Sequence, residues 1–416
     1  PSPASGRGGG SGGKGRAKTD RRAARARGGL TMLYTARPPR PTAEIDFGLL
    51  WLVFGLLLFG LVMVYSASLD TAAASRAVAY NGEFFLMRQG LYILLGLLFG
   101  AMLFRVPTRV LQQLALPLFL AGLFLLVIVL IPGIGREENG ARRWIPLPIG
   151  NLQPAELMKV AVILYAADFT TRKAAFMDDF RKGFVPMALV MLLAGGLLLL
   201  QPDFGSFVVI VTLAGAILFL GGLNWRVFAV LVAVLIVGFT LLIVTSEYRM
   251  KRLTGFLDPF ADPLGKGYQL SHALIAFGRG EWFGAGLGGS VEKLSYLPEA
   301  HTDFLASIIA EEFGFVGILV LITLFATLVV KAFLIARHAA RLEHHFTALV
   351  AAGVGVWLGV QTFINLGVNT ALLPTKGLTL PFMSFGGSGI VANCLGVALL
   401  LRIDWEHRQM MRGKTF

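Results

Sequence analysis

Ten stretches of this chain are too long and too apolar for a water-soluble fold. They cover residues 47–66, 88–105, 111–131, 153–169, 184–200, 204–222, 226–245, 306–334, 346–369 and 380–402. A bilayer's hydrocarbon core, about 30 Å thick, is crossed by about 20 such residues in a helix. Lipid offers no partner to an open backbone N–H or C=O, so each stretch is expected as a helix. The chain thus reads as an all-α integral membrane protein with ten transmembrane helices. Composition agrees, with 56% hydrophobic and 15% charged residues, where soluble domains are about 45–50% apolar. The fourth stretch is the least regular, because Glu156, Lys159 and Asp168 interrupt it.

Cationic loops set orientation. With both termini in the cytoplasm, 24 of the 37 Lys and Arg residues fall on the inner side. Residues 1–46 hold ten of them and little that could be buried, so they are expected as a disordered basic cytoplasmic tail. Beside a span, such a tail fixes topology or touches anionic lipid rather than nucleic acid. Residues 1–31, ahead of Met32, are expected to be a tag or an extension without function. The membrane domain is expected over 47–408 and a short cytoplasmic tail over 409–416. The first apolar run reads as a span rather than a cleaved signal. Its single cysteine, Cys394, excludes an intrachain disulfide and a cysteine metal cluster. No internal repeat suggests the inverted halves of a transporter.

The outer loops 132–152, 246–303 and 370–380 are then the unusual ones, the second lying between helices 7 and 8. In it Leu270, Leu274 and Phe277 fall at helical spacing, which predicts a short interfacial helix. Ionisable residues at membrane depth are costly and point to function, and four groups stand out. Arg142 and Arg143 adjoin Trp144, with Glu156 and Lys159 one turn apart just after Pro154; a polar site and a structural ion pair with an aromatic interface anchor account for these equally well. Arg249, Lys251 and Arg252 stand outside, against the charge trend, and suit either a phosphate ligand or lipid headgroups. "YLPEAHTDF" places Glu299, His301 and Asp303 ahead of the eighth stretch, with Glu311 and Glu312 two turns on. A helix starting at Pro298 would gain from acids in its first turn. Running to Leu334, it would be about 55 Å long, so its first turns would stand in an aqueous or protein-lined cavity, with a bend at Gly314. Last, Lys376 sits between two prolines ahead of "SFGGSG", whose glycines serve tight packing or a backbone facing a cavity. These features suit an enzyme acting on a polyprenyl-phosphate lipid or a transporter of an anionic or lipid-linked solute.

"YRMKRLTGFLDPFADPLGKGYQLSHALIAFGRGEWFGAGLGGSVEKLSYLPEAHTDFLASIIAEEFGFVG", "NGARRWIPLPIGNLQPAELMK" and "KGLTLPFMSFGGSGIVANCLGVALLLRID" resemble the SEDS family (shape, elongation, division and sporulation), over roughly residues 45–408. "LPEAHTDF", with Ala300 where elongation members usually carry Arg, is more similar to the division members. Ser295 departs from the acid common there, which bears on regulation. The resemblance implies a ten-helix peptidoglycan glycosyltransferase of the bacterial inner membrane that polymerises lipid II at the division septum. It implies a class B penicillin-binding protein and other division proteins as partners. It implies Asp303 as catalytic base, with His301 as the other candidate. Arg142, Arg143, Trp144, Glu156, Lys159, Arg249, Arg252, Glu299 and Lys376 would line the substrate and pyrophosphate site. Mg2+ or Mn2+ is expected to share the phosphate charge, with no organic cofactor. A lipid II flippase, an elongation-type polymerase and a silent scaffold are the alternatives.

Overall fold

The computed structural model describes residues 44–74, 80–138, 140–148, 150–177, 179–245, 250, 256–263, 265, 267–375 and 377–413. The readings of residues 1–31, of Arg249, Lys251 and Arg252, and of Lys376 lie outside the described residues.

Each of the ten apolar stretches contains a helix. They are α1 (Phe47–Ala74), α2 (Phe84–Phe104), α3 (Thr108–Ile128), α4 (Pro154–Arg172), α5 (Val185–Leu200), α6 (Phe204–Leu220) and α7 (Trp225–Val244). After a long connection come α8 (Tyr268–Gly280), α9 (Leu305–Arg341), α10 (His345–Asn369) and α11 (Gly387–Met411). Among the described residues, seven helical segments are long and apolar enough to cross a membrane: α1, α2, α3, α9, α10, α11 and residues 180–200, which include α5. α8 falls where a short helix was expected, and Leu270 and Ala273 are buried where it packs on α9. Between α3 and α4, where no sheet was expected, β1 (Arg136–Glu138), β2 (Ala141–Leu147) and β3 (Gly150–Leu152) pair antiparallel in that order.

α4 explains how charge survives in the bundle. Nearly all its residues from Pro154 to Thr170 are buried, packed against α3, α6, α10 and α11. It meets protein on almost every side, so its ionisable groups find partners instead of lipid. Close crossings are made with small residues: a Cβ on Gly96 of α2 would lie 2.8 Å from Cys394 Sγ on α11.

Two helix starts differ from expectation. α9 begins at Leu305 rather than Pro298, and residues 296–304 form turns instead. Glu299 has φ +56°, and its carbonyl accepts from Thr302 N (3.1 Å) and Phe304 N (3.2 Å). That left-handed turn stops a helix from propagating through it. α11 begins at Gly387 rather than residue 380. The bend at Gly314 is present, as a break with φ 65° and ψ −164°, a conformation open to glycine alone. The first stretch of α9, residues 305–312, is buried throughout, so those turns are protein-lined as expected.

Candidate active site

Asp303 stands two residues ahead of α9 and is half-buried. Its backbone is fixed from α10: Asn365 Nδ2 (2.9 Å) and Asn369 Nδ2 (3.0 Å) both donate to its carbonyl. Asn369 Oδ1 accepts from Ser307 N (3.1 Å) and Oγ (2.7 Å), tying in the first turn of α9. Asn365 Nδ2 also donates to the Leu378 carbonyl at 2.7 Å. One turn earlier, Gln361 Oε1 accepts from Lys159 Nζ (2.9 Å) and Trp357 Nε1 (2.8 Å), while its Nε2 donates to Thr379 O (2.9 Å). Gln361, Asn365 and Asn369 thus form a seam of amides along one face of α10. Gly377 faces the Asp303 carboxylate, where a Cβ would come within 3.2 Å of Oδ2; glycine leaves that side open.

The carboxylate has no hydrogen-bond donor placed on it among the described residues. Burial, followed by the charge of Glu299, raises its pKa to about 7; Arg143 opposes this and Asp203 adds to it. Asp203 caps α6, accepting from Ser206 N (3.1 Å) and Oγ (2.8 Å), and Gln153 Nε2 reaches it at 3.3 Å. Arg143, on β2, donates from Nε to Gln201 O at 3.1 Å. His301 is wedged between Phe85 and Phe385, with ring centroids 4.4 and 5.7 Å away, and burial lowers its pKa. Glu299 is exposed, its carboxylate accepting from Thr302 Oγ1 at 2.7 Å.

The structure therefore gathers Asp303, His301, Glu299 and Arg143 at one end of the bundle. It does not gather all the predicted residues. Arg142 sits on the opposite face of β2 from Arg143, as strand alternation requires, and pairs with Glu137 at 2.9 Å near solvent. Trp144, half-buried, shares the Arg142 face. Glu156 and Lys159 form a sealed pair at 2.7 Å, Lys159 being 0% exposed. The two form the ion pair expected from their spacing, and the pair reaches the seam through Gln361. Glu156 Oε2 has no partner among the described residues; it lies beside Gly389, where a Cβ would be 3.7 Å away. The glycines of "SFGGSG" do serve packing at Gly387, where a Cβ would stand 2.8 Å from the Tyr92 ring.

Sequence reasoning missed Asp203, Gln153 and the three amides. A signal existed for the amides: polar side chains every fourth residue in "QTFINLGVN", within an otherwise apolar helix.

Residues 47–409 match the FtsW/RodA/SpoVE family, described as cell cycle proteins. A curated protein of Aromatoleum aromaticum, named probable peptidoglycan glycosyltransferase FtsW, is 60% identical over 91% of this chain and 92% of its own length. One of the same name from Neisseria gonorrhoeae is 44% identical over 92% and 90%. Among solved structures, a chain from a peptidoglycan synthase complex, described as coordinating polymerization and crosslinking, is 32% identical with TM-score 0.70, covering 87% of this chain and 98% of that one. The rod shape determining protein RodA of Thermus thermophilus is also 32% identical, with TM-score 0.62 and coverage of 88% and 98%.

Proposed function

The chain belongs to the FtsW/RodA/SpoVE family, and from that premise we propose how this peptidoglycan glycosyltransferase works. It polymerises lipid II into β-1,4 glycan strands at the outer face of the bacterial inner membrane, during septal wall synthesis. Ten helices cross the bilayer, α4, α6 and α7 among them, with both termini cytoplasmic. The end of the bundle that carries Asp303 then faces outward.

The reaction joins the C4 hydroxyl of a GlcNAc to the anomeric carbon of a MurNAc. The new C1–O4 bond forms as the bond from C1 to the pyrophosphate oxygen breaks. Undecaprenyl pyrophosphate departs with that electron pair, and the hydroxyl proton passes to Asp303. An α-linked donor yields a β product, so a single displacement suffices and no covalent enzyme intermediate is needed. The observation that carries this reading is the setting of Asp303: a clamped backbone, an open carboxylate and a pKa near 7. A base works best when its pKa lies near the working pH. His301 is less suited, because its ring is packed between two phenylalanines.

Arg143 is the described cation nearest this role, since its field reaches Asp303. Arg249, Arg252 and Lys376 are proposed to help hold the pyrophosphate. Among the described residues no three His, Cys, Asp or Glu side chains converge to hold a metal ion. The donor set does not fit a resident divalent cation, and no step above runs through one. Mg2+ or Mn2+ would instead arrive on the pyrophosphate, so excess chelator is expected to slow polymerisation; an unchanged rate removes the metal.

A class B penicillin-binding protein is the proposed crosslinking partner, in keeping with the synthase complex whose chain this one resembles. A flippase would need a charged path open to both faces. Here several charges at the far end are held in pairs: Lys331 with Asp46 (2.8 Å), Arg402 with Glu406 (2.7 Å), Arg408 with Asp404 (2.6 Å). Purified protein with its partner and labelled lipid II decides the matter. Polymer is the expected product; translocation without polymer would mean a flippase, and neither would mean a scaffold.

A further inference from the structure

Two polar locks tie α1 to α9. At one, Lys331 Nζ meets the Asp46 carboxylate at 2.8 and 3.0 Å. At the other, Glu312 Oε1 accepts from Ser66 Oγ (2.7 Å) and Lys293 Nζ (2.8 Å), and Lys293 Nζ also donates to Ser66 Oγ (3.0 Å). From Asp46 to Ser66 is 20 residues, and from Glu312 to Lys331 is 19. At the helical rise both intervals span about 30 Å, the thickness of a hydrocarbon core. Burial changes at the same level. Residues 305–312 are all buried, whereas Phe315, Val316, Leu319 and Val320 are exposed. Before Gly314 α9 is enclosed on every side; beyond it one face stays against protein, through Ile318, Leu321 and Phe325, while the other turns outward.

There the long connection is spliced into the helix. Ala285 N and Gly286 N donate to the carbonyls of Glu311 (2.9 Å) and Glu312 (3.0 Å). Phe315 N and Val316 N donate to the carbonyls of Glu281 (2.9 Å) and Trp282 (3.1 Å). These four bonds replace those the break removes, as a low-dielectric setting demands. The same splice turns Trp282 (65% exposed), Phe283 (80%) and Leu287 (59%) outward. Trp282 packs edge-on to Phe315, with centroids 5.4 Å apart, so the tip continues the apolar stripe of α9.

We infer that residues 282–287 form a membrane seat: the tip rests in the outer leaflet at the glycerol level of phospholipids, and thereby sets the height of Asp303. Trp belongs at that level because its ring is apolar and its N–H polar. Leu305, where α9 begins, lies seven residues before Glu312, about 10 Å further out at the helical rise, and Asp303 precedes it by two residues. The headgroup layer extends about 5–8 Å beyond the hydrocarbon. The carboxylate therefore stands above the lipid phosphates, at the height of a sugar linked to them.

The seat requires that α1 and α9 span the bilayer but not that Asp303 be the base, so its failure leaves the catalytic reading to stand or fall separately. The test is fluorescence of the full chain in nanodiscs, wild type minus Trp282→Phe, which isolates the Trp282 emission. Phospholipids brominated near the glycerol end of the chain are expected to quench it more than those brominated near the chain terminus, and aqueous iodide hardly at all. Quenching by iodide without quenching by bromolipid puts the tip in water and overturns the seat. Protection from both puts it beneath a second copy or another protein, and overturns it equally. Should Trp282→Phe reduce the yield of folded protein, Phe283→Trp provides the same comparison as a gain of quenchable emission.

Discussion

Asp303 and the pair Glu311–Glu312 lie within three turns of one another, yet their surroundings are opposite. Glu311 is saturated: Ser290 Oγ, Val291 N (2.9 Å) and Glu292 N (3.3 Å) all donate to it, with Arg279 Nε at 3.5 Å. Glu312 holds Lys293 and Ser66. Asp303 has its main chain secured and its carboxylate left open. Acids that hold a fold together are surrounded by donors. The acid proposed to accept a proton is denied them.

The sharpest way to break this contrast is to neutralise each side in turn. Asp303→Asn should cut polymerisation by about 10²–10⁴-fold, the usual contribution of a general base. It should not lower the melting temperature. The folded-state pKa of Asp303 is raised to about 7, so its ionised form costs stability at pH above that value and nothing below about 4. Asparagine removes the cost, and unfolding at pH 8 would reveal a midpoint equal to wild type or higher. Lys293→Ala should do the reverse, leaving Glu312 buried and uncompensated at a cost of about 3–5 kcal/mol, read as lost folded yield or a lowered midpoint.

Smaller effects sharpen the picture. Asn369→Ala removes one of two donors to the Asp303 carbonyl and the acceptor of Ser307. At about 1–1.5 kcal/mol for such bonds, kcat should fall about tenfold with little change in KM. The smallest is a displacement rather than a loss. The rate of the wild type should rise with pH through about 7, as Asp303 ionises. Glu299→Gln takes away a negative charge that raises that pKa, so the same limb should move to lower pH. A limb that stays in place would dissociate Glu299 from the base.

The ten helices were legible because lipid imposes one pattern, about twenty apolar residues, that few other constraints disturb. The group Glu299, His301 and Asp303 stood out because such residues are rare ahead of an apolar run; the role of Asp303 as base came from the family resemblance. The start of α9 was not, since Pro298 and the acids after it satisfy the rules for a helix N-terminus; what decides is the turn at Glu299, which depends on Phe304 and Thr302 bonding back to one carbonyl. Arg142 and Arg143 could not be told apart until β2 placed them on opposite faces. The enclosure of Glu156 and Lys159 was not legible, because sequence does not reveal what surrounds a helix.

That enclosure has a consequence for biogenesis. A segment bearing Glu156, Lys159 and Asp168 is poorly disposed to leave the translocon alone, since charged residues oppose insertion, by about 2.5–3.5 kcal/mol each at a span's centre and less toward its ends, where these three lie. Its charges pair within the helix, Glu156 with Lys159 and Asp168 with Arg172, but the amide that completes the Lys159 shell arrives late: Gln361 lies some two hundred residues downstream. α4 must therefore be sheltered by α3 or by the insertion machinery until α10 emerges, which makes it the point at which assembly of the nascent chain is most easily derailed.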